Sequence, residues 1–117
     1  METVRQMKAH GVLLVSGTDA GWDYNNFLGG AYIDLELASE VGMSNREIIE
    51  FSTRRAAQSV GLGDQIGVLE PGYFADLLVV STNPVDDVSV IQYPEAVFCN
   101  GKLRVRGGSI YLTGDLE

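Results

Sequence analysis

The stretch Gly17-Thr18-Asp19-Ala20-Gly21 has the strongest claim to chemistry in this chain. It follows the apolar run Val12-Leu13-Leu14-Val15. Parallel α/β folds place reactive groups at the carboxyl ends of such buried strands. A carboxylate held there is partly desolvated, so Asp19 could bind a metal or take a proton from water. The same residue also suits an Asx turn or a helix cap, and on spacing alone that reading is the heavier. The other constellations are weaker. A zinc centre needs about three protein ligands, and the chain offers one histidine, His10, and one cysteine, Cys99. His10 reads as a cation at a helix end, and Cys99 as a small strand side chain. Ser16 and Ser81 lack the glycine-flanked elbow of a nucleophilic serine. Gly29-Gly30 and Gly61-x-Gly63 fit no phosphate-cradling pattern. Asp86-Asp87 lacks the alternation of a calcium loop.

Composition bounds what can position these residues. A chain of 117 residues, 45% hydrophobic and 21% charged, has the makings of one domain with a core and not of a disordered tail. It is too short for a closed eight-stranded β/α barrel, which takes about 250 residues. Eight Lys and Arg stand against sixteen Asp and Glu, a net charge of −8. Such a chain is repelled by a polyanion, so no nucleic-acid partner is expected. Lys102, Arg104 and Arg106 alternate with apolar residues and read as one solvated strand face. A single cysteine allows no internal disulfide. No apolar run nears the roughly 20 residues of a membrane span, and the first residues lack an apolar signal core. The expectation is a soluble, cytoplasmic chain with no membrane partner.

The periodicity assigns elements as follows. Val4, Met7 and Lys8 recur at helical spacing, and Gly11 is a stop. The run 12–15 suits a strand covered on both faces, as in a parallel sheet. Trp22 to Gly30 is an aromatic, Asn- and Gly-rich loop. Helical spacing resumes near Ala31, with Ile33, Leu37 and Val41 as one row and Gly42 as a left-handed stop. Ser44-Asn45-Arg46-Glu47 fits a capping box, with Met43 stapled onto Ile48. That helix is expected to run to about Val60. Beyond Gln65 the pattern turns to β: strands at Ile66–Leu69 and Ala75–Val80, with a type II turn at Glu70-Pro71-Gly72-Tyr73 between them. Val85–Val90 suits one helical turn. Asn100-Gly101 marks a tight hairpin between Ala96–Cys99 and Lys102–Val105. Two-residue register sets Phe98 against Leu103 and Ala96 against Val105. Gly107-Gly108 ends that strand, and Ser109–Leu112 forms a last one.

Several of these stretches, in order, resemble the metal-dependent amidohydrolases, in particular the imidazolonepropionase- and prolidase-like branch. Gly17-Thr18-Asp19-Ala20-Gly21 looks like the end of that family's eighth barrel strand. Leu35-Glu36-Leu37 with Val41-Gly42-Met43-Ser44 resembles its "EL…GM(S/T)" helix and helix start. Ser52-Thr53-Arg54-Arg55-Ala56-Ala57 with Gly61-Leu62 resembles its next helix. Ile66-Gly67-Val68-Leu69-Glu70-Pro71-Gly72-Tyr73-Phe74-Ala75-Asp76-Leu77-Leu78-Val79-Val80 resembles its "IG.I.PG..ADLVV" segment. Asn83-Pro84, Val97 and Asn100-Gly101-Lys102 resemble its closing strands.

The resemblance implies an α/β fold in two parts. Residues 1–62 would be the βα-rich end of a partial (β/α) barrel, its last strand plus helices. Residues 63–117 would be antiparallel β strands of the small composite β-sandwich beside it. The implied reaction is metal-dependent hydrolysis of an amide or other C–N bond. Asp19 would be the strand-eight aspartate, a metal ligand and general base, and Trp22, Asp23 and Tyr24 would touch substrate at the mouth of the site. The family binds zinc or another divalent metal through a His-x-His pair, a carboxylated lysine or glutamate, and two further histidines on earlier strands. This sequence contains none of them, so no metal is expected on this chain alone. Apolar strands without neighbours invite pairing. The expected partner is a second copy, as a dimer with paired or swapped strands, or the missing N-terminal barrel part. The alternative is a non-catalytic domain of the same descent, built for self-assembly or for binding a partner or small ligand.

Overall fold

A computed structural model describes residues 1–18 and 31–110 of the chain. Four helices come first: α1 (Glu2–Ala9), α2 (Ala31–Glu40), α3 (Asn45–Ser52) and α4 (Arg54–Ser59). Four strands follow, β1 (Leu77–Val79), β2 (Ala96–Cys99), β3 (Lys102–Arg106) and β4 (Ser109–Ile110), with a 3-10 turn at Val88–Gln92 before β2. The strands form one antiparallel meander in the order β1-β2-β3-β4.

The helices carry the main core. Leu35, Ala38 and Val41 of the α2 region pack with Met43, Ile48 and Phe51, and Val4, Leu14, Val88 and Ile91 close around them. Ile48 is fully buried. The capping box at Ser44 is present in both directions: the Ser44 Oγ accepts from the Glu47 amide, and the Glu47 carboxylate accepts from the Ser44 amide. Met43 and Ile48 share the core, as the staple requires. The row expected on α2 is corrected. Ile33 and Leu37 are 45% and 44% exposed, and Leu35 and Ala38 take the buried face with Val41. The helix is apolar on two faces, and only one meets this chain's own core.

Two further expectations fail for reasons in the residues. The helix from Asn45 does not continue to Val60 but breaks at Thr53, whose φ is −122° and ψ −92°. Ser52 Oγ donates to the carbonyls of Ile48 and Ile49, and Thr53 Oγ1 donates to Ile49. Hydroxyls that bond back onto helix carbonyls bend helices. The Phe51 carbonyl meanwhile accepts from the Ser16 amide at 3.4 Å. The second failure is the strand at 12–15. These residues form no strand, and the amides and carbonyls of residues 13–15 have no backbone partner among the described residues. Val12 and Leu13 stay 50% and 56% exposed. A parallel strand exists only through its neighbours, and none is supplied among the described residues.

In the β half, Ile66–Leu69 forms no strand either, and the strand expected at 75–80 shrinks to Leu77–Val79. The turn at Pro71-Gly72 is as expected, with the Tyr73 amide on the Glu70 carbonyl and Gly72 at φ +96°. Gly67, at φ +88°, lies where a Cβ would come 2.9 Å from both the Ala57 Cβ and the Thr53 carbonyl oxygen. That glycine lets the 63–69 segment press against the helix break. Asn100 and Gly101 take φ of 51° and 75° in the β2–β3 turn. Phe98 pairs with Leu103 as expected, but a register shift between Val97 and Phe98 puts Val105 opposite Val97 and Arg106 opposite Ala96.

Candidate functional site

The described end of the 12–18 segment is held from two sides. Besides the Ser16–Phe51 backbone bond, Ser16 Oγ donates to Asp34 Oδ2 at 3.2 Å, and the Gly17 amide donates to the same oxygen at 2.9 Å. Asp34 stands in the first turn of α2, where a carboxylate suits the helix dipole. Gly17 and Asp34 thus join the two ends of the segment that separates them. Asp19, Trp22, Asp23 and Tyr24, the residues singled out from sequence, lie outside the described residues.

The far end of α2 is held by cations from α1. Arg5 Nη2 donates to the Glu40 carbonyl at 2.9 Å, and Lys8 Nζ to the Gly42 carbonyl at 2.6 Å. The Glu40 carbonyl is one that a helix C-terminus leaves without an internal partner, and Gly42 lies just beyond that end. Lys8 also reaches the Glu47 carboxylate at 3.4 Å. The Glu47 carboxyl titrates below its ordinary value, chiefly because the Ser44 amide donates to it, then through the Ser44 hydroxyl and Lys8. His10 is the C-cap residue of α1, the position expected for it.

A crevice of about 270 Å³ opens between α2 and the 3-10 turn, lined by Tyr32, Glu36, Asn45, Asp86, Asp87 and Ser89 among others. Two of its carboxylates, Asp86 and Asp87, serve local structure. Asp86 accepts from the Asn83 amide group at 3.1 Å, and Asp87 caps the 3-10 turn through the Ser89 amide at 2.9 Å. Hydrogen bonds from Ser89 hold the Asp87 carboxyl below its usual range. Asn45 Nδ2 ties α3 to the carbonyls of Val85 and Asp86. Among the described residues, no group of three or more His, Cys, Asp or Glu could hold a metal ion. No helix among them is long and apolar enough to cross a membrane.

Sequence reasoning missed Asp34. Its partners lie 17 and 18 positions upstream, and the one local signal was an acid in the first turn of a helix that follows a loop. It also gave no role to Asp76. Asp76 Oδ1 accepts from the Asn100 amide at 2.7 Å, and the neighbouring Ala75 carbonyl accepts from Gly101 at 2.9 Å. The Ala-Asp pair therefore braces the tip of the β2–β3 hairpin.

A helical layer ending in a four-stranded antiparallel meander, in a sequence that carries Gly17-Thr18-Asp19 after an apolar run, places the chain in a class. Residues 1–104 match the Amidohydrolase family, and the chain belongs to it. Among individual proteins, it is similar to an ochratoxinase of Aspergillus niger, 36% identical over 89 residues, which are 74% of this chain and 18% of that protein. It is also similar to a Xaa-Pro dipeptidase solved with methionine in its active site. The TM-score is 0.79 and the identity 31%, covering 87% of this chain and 24% of that one. A structure assigned to a prolidase from Bifidobacterium longum superposes with a TM-score of 0.82 at 31% identity, over 92% of this chain and 26% of that one. The chain thus spans about a quarter or less of the relatives it matches.

Proposed function

We propose that this chain is the closing part of a prolidase-like amidohydrolase and that it contributes to hydrolysis of an amide or other C–N bond only once joined to the rest of the barrel. Residues 1–62 would supply the last barrel strand and its helices, and residues 63–117 strands of the small β domain. Asp19 is the residue the chain would bring to the metal, as ligand and general base, with Trp22, Asp23 and Tyr24 at the mouth of the site. The metal, zinc or another divalent ion, is a property of the assembled enzyme. The described residues offer no ligand set that fits one, and a lone carboxylate does not hold a catalytic ion.

The observation that carries this reading is the segment 12–15. Val12 and Leu13 are half exposed, and residues 13–15 have no backbone partner among the described residues, yet the sequence runs on through Ser16 to Gly17-Thr18-Asp19 within a family match of residues 1–104. Half-exposed Val12 and Leu13 leave about 1 kcal/mol each to be gained on full burial. Strand hydrogen bonds would add about 1 kcal/mol apiece. Pairing with neighbouring strands is therefore favourable, and the partner is the preceding barrel part.

The same edge would also serve a second copy of the chain. Sedimentation at micromolar concentration separates the two readings: a dimer that Leu13→Asp dissolves favours the self-assembling domain. For the enzyme reading, the chain is purified alone and with the barrel portion of its own hydrolase, and zinc is counted by elemental analysis. Zinc retained one per chain only in the assembled protein, with C–N hydrolysis lost in Asp19→Asn, is the expected outcome. Stoichiometric zinc on the isolated chain, or an assembled Asp19→Asn variant that still hydrolyses, would sink the proposal.

A further inference from the structure

We infer that this chain pairs with a second copy of itself by laying the outward face of α2 on the open face of the other copy's sheet. A sheet is stable as one of two layers, with a helix or another sheet on its apolar face. Among the described residues the core cluster lies in the α2–α3 region, and no strand residue belongs to it. Within β1–β4 only Ala96 is buried. Residues directly opposed on neighbouring strands share a face. Leu78 stands opposite Val97, Val97 opposite Val105, and Val105 opposite Ile110. These four apolar side chains make one row across all four strands, and its ends, Leu78 and Ile110, are 45% and 74% exposed. Lys102, opposed to Cys99 two residues along from Val97, puts a cation beside the row. Arg106 stands opposite Ala96 and falls on the other face, because the register shifts after Val97.

The matching surface is the second apolar face of α2. Ile33 and Leu37, one turn apart, are 45% and 44% exposed. Glu36 and Glu40 stand three and seven residues after Ile33, so they edge the same face. Glu36, Glu40 and Lys102 make no ion pair among the described residues. An apolar ridge edged by carboxylates thus meets an apolar row edged by an ammonium group. Charge decides which face takes which. Helix on helix would set Glu36 and Glu40 against their own copies, and sheet on sheet would set Lys102 against Lys102, both like-charge contacts. Helix on sheet avoids both. When each copy lays its α2 on the other's sheet, the contact closes as a two-fold dimer. The net charge of −8 opposes association, so apolar burial drives the pairing and the charged edges select it. Residues 12–15 take no part.

The experiment is sedimentation equilibrium of the whole chain at micromolar to submillimolar concentration. Salt is kept at about 0.15 M, where charge repulsion is screened beyond about 8 Å. Wild type should form a dimer. Leu37→Lys damages the helix face and Ile110→Asp the sheet face. Each position is used twice in a two-fold dimer, so either change should raise the dissociation constant about a hundredfold. An equimolar mixture of the two variants should associate again. One contact in the mixed dimer is wild type on both sides, and in the other the introduced lysine meets the introduced aspartate. Circular dichroism checks that each variant is folded. If one is not, Glu36→Lys and Lys102→Glu give the same comparison at exposed positions, with a loss of about fivefold per contact and recovery when both are placed in one chain. A wild-type chain that stays monomeric overturns the inference and assigns both faces to the missing part of the hydrolase. A folded variant of either face that leaves the dimer intact also overturns it, because the contact is then helix on helix or sheet on sheet. So does a mixture that stays monomeric. Leu13→Asp should leave this dimer unchanged; a dimer that it dissolves belongs to the 12–15 edge and counts against the pairing of α2 with the sheet.

Discussion

Replacing Gly67 by alanine tests how the β-rich half is fitted onto the helix break, and Gly72 provides its control. Both residues hold positive φ, +88° and +96°. An L side chain in left-handed backbone costs about 1–2 kcal/mol, offset by about 0.4–1 kcal/mol because alanine restricts the unfolded chain. Up to this point the two sites are alike. They differ in space: a Cβ at Gly67 would sit 2.9 Å from the Ala57 Cβ and from the Thr53 carbonyl oxygen, while at Gly72 nothing lies within 4 Å. The Gly67 neighbours are backbone and a methyl attached to it, so neither can swing aside as a long side chain would. Overpacking of this kind costs about 1–3 kcal/mol more. Gly67→Ala should thus destabilise by about 2–4 kcal/mol and Gly72→Ala by about 1 kcal/mol. The assay is urea unfolding followed by far-ultraviolet circular dichroism, with the slope compared across variants to confirm a common unfolded state. Equal midpoints for the two variants, or a Gly67→Ala chain more stable than Gly72→Ala, would refute the argument that contact with the Thr53–Ala57 turn constrains this position.

Other outcomes follow from single contacts. Ser44→Ala removes the capping box and should cost about 1 kcal/mol, read as a lower urea midpoint. Glu47 titrates below its ordinary value of 4.5 in the folded chain, so its contribution is present above that value and disappears as pH falls through the depressed one. A stability profile from pH 7 to pH 3 should decline less steeply in Glu47→Gln than in wild type, and parallel profiles would contradict the assignment. Asp76→Ala withdraws the acceptor from the Asn100 amide. Exchange at Asn100 should quicken about tenfold while the Ile48 amide, in α3, keeps its protection.

The parts legible in the sequence are those whose causes are local. Ser44 and Glu47 sit three residues apart and satisfy each other, and Asn100-Gly101 carries its turn preference within itself. The break at Thr53 was also written locally, in the Ser52-Thr53 pair whose hydroxyls compete for Ile48 and Ile49, but the surrounding helical spacing outweighed it. What failed was non-local. The apolar run 12–15 has strand composition without ladder partners. Ile33 and Leu37 match the period of a buried row, but the core lies on the face of Leu35 and Ala38. The bulge after Val97 comes from pairing and not from the turn. Of the candidate site, Asp19, Trp22, Asp23 and Tyr24 lie outside the described residues, and Asp34 was not legible, because a carboxylate does not announce donors 17 positions away.

The unpaired amides of Leu13, Leu14 and Val15 give the chain an internal clock. Without a backbone partner among the described residues, they are expected to trade hydrogen for deuterium faster than the helix amides. Were strands to close on both sides, as proposed above, the same three positions would exchange only when those strands part. In the assembly proposed above, their deuterium uptake would date the moment of pairing and afterwards record how often the paired strands come apart.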